Sequence, residues 1–134
     1  FAIATDYLKN KWQYCDYPHI HQFLPKVIFT DIQQFRPIFD KGEIGIGDHI
    51  HYILVKNEKE ANFFITFLNS KLSCFLQKLF SLNFFNSNNS RWNSPYPLKR
   101  IKLEEVELKN DQDLYKHFNL TQEERDYIER TISN

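Results

Sequence analysis

Three short runs between residues 25 and 55 have the apolar pattern of β-strands. Lys26–Thr30 is apolar and β-branched, Phe35–Asp40 alternates around Pro37, and His49–Val55 alternates between two faces. Since proline cannot donate a hydrogen bond to a neighbouring strand, the second run is expected at a sheet edge or a bulge. Together the runs predict a short, mostly antiparallel sheet from Lys26 to Val55.

A helical repeat follows the sheet, from about Glu58 to Phe80. Asn57 is a favourable N-cap, and Glu60 stands three residues after it, as in a capping box. Apolar side chains recur at helical spacing along one stripe: Ala61, Phe64, Ile65, Leu68, Leu72, Phe75, Leu76 and Leu79. The pattern predicts one long helix that packs across the sheet.

The segments flanking this sheet and helix have other patterns. Residues 1–14 mix aromatic and lysine side chains, and fit either a short helix or an extended arm. Residues 83–95 are rich in turn formers and predict an exposed loop, while Leu98–Leu103 alternates as a strand or extended segment. These two stretches lie between the predicted helix and the C-terminal tail.

The tail, residues 104–134, contains two further helical patterns. Helices are predicted at about Asp111–Phe118 and Gln122–Thr131, the second with Thr121 and Glu124 as a capping box. The predicted fold is therefore α+β: a short sheet packed on one long helix, with a small helical C-terminal subregion. We divide the single domain into an arm (1–24), the sheet and long helix (25–103) and an acidic helical tail (104–134).

Length and composition fit one domain of a larger protein. A chain of 134 residues can bury a core, and aromatic residues make up 16% of this one. It starts at Phe1 and contains no Met, so we expect a piece of a longer protein, specifically a C-terminal domain. The two cysteines, Cys15 and Cys74, have neither a paired spacing nor nearby histidines, so we expect reduced thiols. Without a membrane-length apolar run or a secretion signal, we expect an intracellular protein with no membrane partner.

Charge is unevenly distributed although the formal net charge is zero. Residues 1–103 carry 13 Lys and Arg against 8 Asp and Glu, whereas residues 104–134 carry 4 against 9. A neutral chain is unlike a free-standing electrostatic DNA binder, which gains affinity by releasing counterions from phosphates. The gradient nevertheless predicts a basic body with an acidic tail.

Few residues suggest catalysis or cofactor binding. The three glycines in 42–47 do not have the order of a dinucleotide fingerprint, and Ser94-Pro95-Tyr96-Pro97 lacks the doubled proline of the Pro-Pro-Tyr loop of adenine methyltransferases. We therefore expect no catalytic residue and no cofactor in this chain. Pairs of histidines could ligate a metal or form hydrogen bonds, and since no third ligand is located we expect no metal: His19, His21, His49 and His51.

The loop from Asn86 to Trp92 has the side chains that read nucleic-acid bases. Amides pair with adenine, Arg with guanine, and an indole stacks or wedges between bases. The alternative for such a polar segment is an ordinary solvated loop.

Several motifs, in their order, are similar to a known family. They are Pro25-Lys26-Val27-Ile28-Phe29-Thr30-Asp31-Ile32, a strand pair ending near Val55, a helix with Leu68-Asn69-Ser70-Lys71-Leu72, a proline-containing segment before Ile101, and the tail from Leu114 to Glu129. This order resembles the target-recognition (specificity) domains of adenine-specific DNA methyltransferases in type II and type IIG restriction-modification systems, the TaqI-like group.

The resemblance implies a DNA-binding domain that follows a catalytic methyltransferase domain in the same chain. The parent would be an S-adenosylmethionine-dependent transferase of the prokaryotic cytoplasm, associated with the nucleoid and in some members fused to a nuclease. Its partners would be double-stranded DNA and that catalytic domain.

On this reading we assign phosphate contacts to the cations and base contacts to the loop. The expected DNA-binding residues are Arg36, Lys41, Asn86, Asn88, Asn89, Arg91, Trp92, Lys99 and Arg100. Two alternatives remain: a protein-interaction module that docks through the acidic tail helices, and half of a type I restriction specificity subunit.

Overall fold

The computed structural model describes residues 2–6, 11–30, 35–47, 50–80 and 108–132. The strands are β1 (Ala2–Asp6), β2 (Lys11–Tyr14), β3 (Lys26–Thr30), β4 (Ile38–Asp40), β5 (Gly45–Ile46) and β6 (Ile50–Leu54). The helices are α1 (Glu58–Asn69), α2 (Lys71–Phe80), α3 (Asp111–His117) and α4 (Gln122–Ile132). This mixture confirms the predicted α+β class.

The strands form two sheets rather than the single predicted one. In the first, β1 lies between antiparallel β2 and parallel β5, and in the second β3 lies between β4 and β6, antiparallel to both. The second sheet contains the three strands predicted between Lys26 and Val55, with the proline-preceded β4 at its edge as expected. The first sheet was not predicted: of the two possibilities for residues 1–14, strands form where the structure describes 2–6 and 11–14.

Strand β3 is the central strand of the second sheet, and both of its faces are covered. All five of its residues are buried. On one face Val27 and Phe29 pack with Ala61 of α1, and on the other Ile28 packs with Trp12 and Ile46 of the first sheet. The second sheet thus lies between helix α1 and the first sheet.

The prediction of one long helix is wrong, because the helix is interrupted at Ser70. This residue has an extended backbone (φ −75°, ψ 156°). Its Oγ donates to the carbonyl of Phe67 (2.6 Å) and accepts from the N–H of Ser73 (3.0 Å). A serine hydroxyl that bonds nearby backbone groups competes with helix continuation, so Ser70 ends α1 and caps α2.

Helices α2, α3 and α4 pack around an apolar cluster to which α1 contributes the buried Phe63 and Phe67. Leu72, Leu114, Tyr115 and Ile128 are buried in it, and the partly buried Phe64 of α1 contacts both this cluster and the one beneath the sheet. The caps of α1 and α4 are as predicted from the sequence. Asn57 accepts from the N–H of Glu60, and Thr121 and Glu124 bond each other's N–H groups reciprocally.

Other predictions concern residues that the structure does not describe. The loop at 83–95, the segment 98–103 and the acidic stretch 104–107 lie outside the described ranges. Within those ranges, no helix combines the length and apolarity needed to cross a membrane.

Candidate nucleic-acid interface

Two of the predicted DNA-binding residues flank the edge strand β4. Arg36 precedes the strand and Lys41 follows it, and both are exposed. Arg36 has a left-handed backbone (φ 44°), an uncommon conformation for a residue with a side chain. Its neighbours Phe35 and Pro37 are buried, so the chain is anchored on both sides of an outward-facing arginine. The sheet edge therefore carries a cation at each end of β4.

A buried ion pair fixes the chain next to Lys41. Lys26 and Asp40 are opposite each other on β3 and β4, and their side chains are 0% and 2% exposed with Nζ and Oδ2 2.5 Å apart. The Asp40 carboxylate also accepts hydrogen bonds from the N–H groups of Gly42, Glu43 and Ile44. The turn that carries Lys41 is held from within by one carboxylate.

The same lysine fixes a second turn. Lys26 Nζ donates to the carbonyl oxygens of His21 (3.2 Å), Gln22 (3.0 Å) and Leu24 (3.3 Å). An ammonium has three protons to donate, so the three carbonyls and the Asp40 carboxylate share them and leave none without an acceptor. We call residues 19–24 and 41–45 the paired loops, because this one ion pair holds both.

Direct contacts also join the paired loops. The Gln22 side chain accepts from the N–H of His19 and donates to the carbonyl of Glu43. At Gly42 (φ +115°) an added Cβ would lie 2.7 Å from the carbonyl oxygen of Phe23. A side chain at Gly42 would force the loops apart, so glycine is required there for both its conformation and its size.

The histidines of the first paired loop are engaged in hydrogen bonds. His21 Nδ1 lies 2.6 Å from the Tyr52 hydroxyl, and His19 Nδ1 accepts from the N–H of His21. The His19 ring stands edge-on to Tyr52. Partial burial, then the nearby His21 and Lys26, lower the pKa of His19, which favours its neutral form.

Of the two roles considered for the histidines, hydrogen bonding is the one seen for His19 and His21. Among the residues that the structure describes, no three His, Cys, Asp or Glu side chains come together as a metal site would need. His49 lies outside these residues.

Acidic side chains gather on α4, in the helical part of the molecule. A shallow depression is lined by Glu123, Asp126, Glu129 and Arg130. Glu129 pairs with Lys71 of α2 (2.5 Å) and accepts from the Tyr115 hydroxyl (3.0 Å).

These contacts shift pKa values within the cluster of Lys71, Glu129 and Tyr115. The hydrogen bond from Lys71 lowers the pKa of Glu129, and burial followed by the Glu129 contact raises the pKa of Tyr115. This cluster joins α2, α3 and α4.

The remaining predicted contacts stay predictions. Seven of the nine residues lie outside the described ranges: Asn86, Asn88, Asn89, Arg91, Trp92, Lys99 and Arg100.

Sequence reasoning missed the paired loops and the exposed apolar side chains around them, including Tyr17, Ile20 and Phe23. A signal was present, since apolar residues recur in 12–24 without helical or strand spacing.

No protein-family model, curated protein or solved structure matches this chain.

Proposed function

We propose that this chain is the DNA target-recognition domain of an adenine-specific DNA methyltransferase of a restriction-modification system. The parent protein methylates DNA with S-adenosylmethionine in the prokaryotic cytoplasm, and this domain presents the target site to the catalytic domain. In the described residues, Arg36 and Lys41 contact phosphates. Base contacts come from the loop at 86–92, with further phosphate contacts from Arg91, Lys99 and Arg100.

The observation that carries the proposal is the separation of charge within the fold. Arg36 and Lys41 lie at the ends of β4, an edge of the second sheet, whereas the acidic depression lies on α4, which packs with α2. Helix α1 contacts both parts. A duplex is attracted to a cationic face and repelled by a carboxylate-rich one, so the sheet edge is the side that suits DNA.

The rigid support of Lys41 is a second argument. Because Asp40 holds three successive backbone N–H groups of its turn, little conformational entropy is lost when Lys41 meets a phosphate. The left-handed backbone at Arg36 is likewise held in place, because the residues on either side of it are buried. Phosphate contacts of this kind set the register of a protein on a duplex, and base contacts then specify the sequence.

Salt dependence of DNA binding tests the assignment. The chain is titrated with a mixed-sequence DNA duplex at several salt concentrations, and the slope of log K against log salt is measured by fluorescence anisotropy. Arg36→Gln, Lys41→Gln, Arg91→Gln and Arg100→Gln should each reduce the slope by about 0.9, the value for one lost phosphate contact.

Matched controls come from exposed lysines elsewhere. Lys59 on α1 and Lys116 on α3 are exposed, and their replacement by Gln removes the same charge. Equal loss of slope in Lys59→Gln or Lys116→Gln would mean that only net charge matters and would refute the assigned contacts. Specific recognition further requires that one sequence be enriched when the chain selects from a random duplex library, and no enrichment counts against the proposal.

One observation favours the second candidate, a protein-docking role for the tail helices. Tyr127 is about half exposed on α4, beside the acidic depression, as an interface residue would be.

The coding sequence upstream of Phe1 separates the candidates. A catalytic Pro-Pro-Tyr loop and a cofactor-binding motif there support DNA recognition, and their absence supports docking.

A further inference from the structure

An apolar surface surrounds the first paired loop. We call it the apolar loop surface; its members are between 43% and 83% exposed, and they are Tyr14, Tyr17, Ile20, Phe23, Leu24 and Leu54. Exposed apolar side chains are ordinary when they are scattered, but six large ones in one region of a small domain are not.

These side chains come from adjoining parts of the fold. Five of them fall within 14–24, where residues 14–18 are all exposed. The sixth, Leu54, is opposite Lys26 on β6, and the N–H of Val55 donates to the carbonyl of Pro25, next to Leu24. The loop and the end of β6 therefore present one surface.

The backbone beneath this surface is held rigidly. Lys26 binds the carbonyls of His21, Gln22 and Leu24 from inside, and Gly42 lies against the backbone of Phe23. With the polar backbone groups turned inward, the apolar side chains point to solvent. A surface fixed in this way loses little entropy when it binds a partner.

The area is sufficient for a stable protein contact. A large aromatic side chain has roughly 150–250 Å² of surface, so the exposed fractions of the three aromatic members alone amount to roughly 450 Å², to which the three aliphatic members add. The largest apolar patch of a typical monomer is about 300–600 Å². One side of a standard protein interface is about 800 Å².

The charge of residues 13–24 indicates which type of partner the apolar loop surface binds. Between residues 13 and 24 the sequence has one carboxylate, Asp16, and no lysine or arginine. His19 contributes little positive charge, because its pKa is lowered. A segment with so little charge can face an identical segment with little repulsion.

We infer that the apolar loop surface is the contact face between two copies of this chain, related by a twofold axis. In such a contact each copy presents the same residues, so Ile20 and Phe23 of one protomer meet the apolar loop surface of the other. This inference does not depend on DNA binding.

Sedimentation velocity of the 134-residue chain tests the inference. The measured mass should rise from one chain to two as concentration increases from low micromolar to millimolar. Ile20→Gln with Phe23→Gln should weaken the dimer by at least about a hundredfold, since each truncated apolar contact is worth about a factor of ten and both protomers carry the two changes. Both residues are exposed, so circular dichroism should show an unchanged fold.

Leu79→Gln is the control, because Leu79 is also an exposed apolar residue, 44% accessible, but lies on α2. It should dimerise like the wild-type chain. A wild-type chain that stays monomeric at every concentration overturns the inference, as does a double variant that dimerises normally or a mass that keeps rising beyond two chains. A monomeric chain that binds another domain or DNA through Ile20 and Phe23 would also overturn it.

Discussion

Removing either partner of the buried Lys26–Asp40 ion pair should strongly destabilise the fold. In Asp40→Asn, the Lys26 ammonium is left fully buried with three carbonyl partners and no counter-charge. In Lys26→Met, the buried Asp40 carboxylate keeps its three backbone N–H donors. Each single variant leaves one buried charge without its partner.

The expected loss is about 3–5 kcal/mol in the free energy of unfolding for each single variant. Asp40→Asn should lie toward the upper end, because carbonyl dipoles compensate a cation less well than an aspartate does. Lys26→Met should lie toward the lower end. The double variant has neither charge, so its loss should be about 2–3 kcal/mol smaller than the sum of the single losses.

Urea denaturation followed by circular dichroism measures these free energies. If a single variant is largely unfolded, a double variant that folds still shows that the two residues are coupled. Lys41→Met serves as the control, since this exposed neighbour should change stability by less than about 0.5 kcal/mol. The losses should persist in about 1 M salt, because a buried pair is little screened. Single losses below about 1 kcal/mol, or strictly additive ones, would refute the account of Lys26 as the centre of the paired loops.

Three other substitutions have defined expectations. Ser70→Ala removes the hydroxyl that caps α2 and should lower the free energy of unfolding by about 1 kcal/mol, measured by urea denaturation, with an unchanged value contradicting the cap. Gly42→Ala should cost more than about 1 kcal/mol, measured by the same method, because of its positive φ and the 2.7 Å approach to the Phe23 carbonyl; a stabilised variant would contradict this. For Glu129, the Lys71 hydrogen bond lowers the folded pKa, so its stabilisation is complete above the unfolded pKa of about 4.3 and disappears as pH falls through the lower folded value. The Tm difference between wild type and Glu129→Gln should therefore be largest near neutral pH and shrink in acid, and a difference that grows in acid would reverse the argument.

Local patterns were sufficient to predict strands β3, β4 and β6 and the caps of α1 and α4. Strand β3 is apolar apart from Lys26 and Thr30, and the caps at Asn57 and Thr121 depend on residues three positions apart. Such signals are contained in a few neighbouring residues. The fold class follows from them.

The helix break was not predictable, because the apolar spacing continues through it. Neither Gly nor Pro occurs between Glu58 and Phe80, and serine, the residue at position 70, is found in many helices. The break is supported by Asp111, 40 positions later, which accepts from the N–H of Lys71. A contact so distant in sequence leaves no local signal.

The candidate site was predicted only in part for the same reason. Arg36 and Lys41 were identified from charge, but the role of Lys26 depends on the register that places it opposite Asp40. Within an apolar strand, a single lysine suggests a solvent-facing position. Only the antiparallel alignment of β3 with β4 reveals that it is buried and paired.

Because Lys26 holds the paired loops from inside, the residues on their outer surface can be substituted without loss of that support. This lysine bonds backbone carbonyls, which every residue type possesses, so the exposed side chains of Phe23 and Leu24 do not determine the path of the chain. Randomising Ile20 and Phe23 while keeping Lys26, Asp40 and Gly42 would vary the chemistry of a constant frame, as antibody loops vary on a constant scaffold.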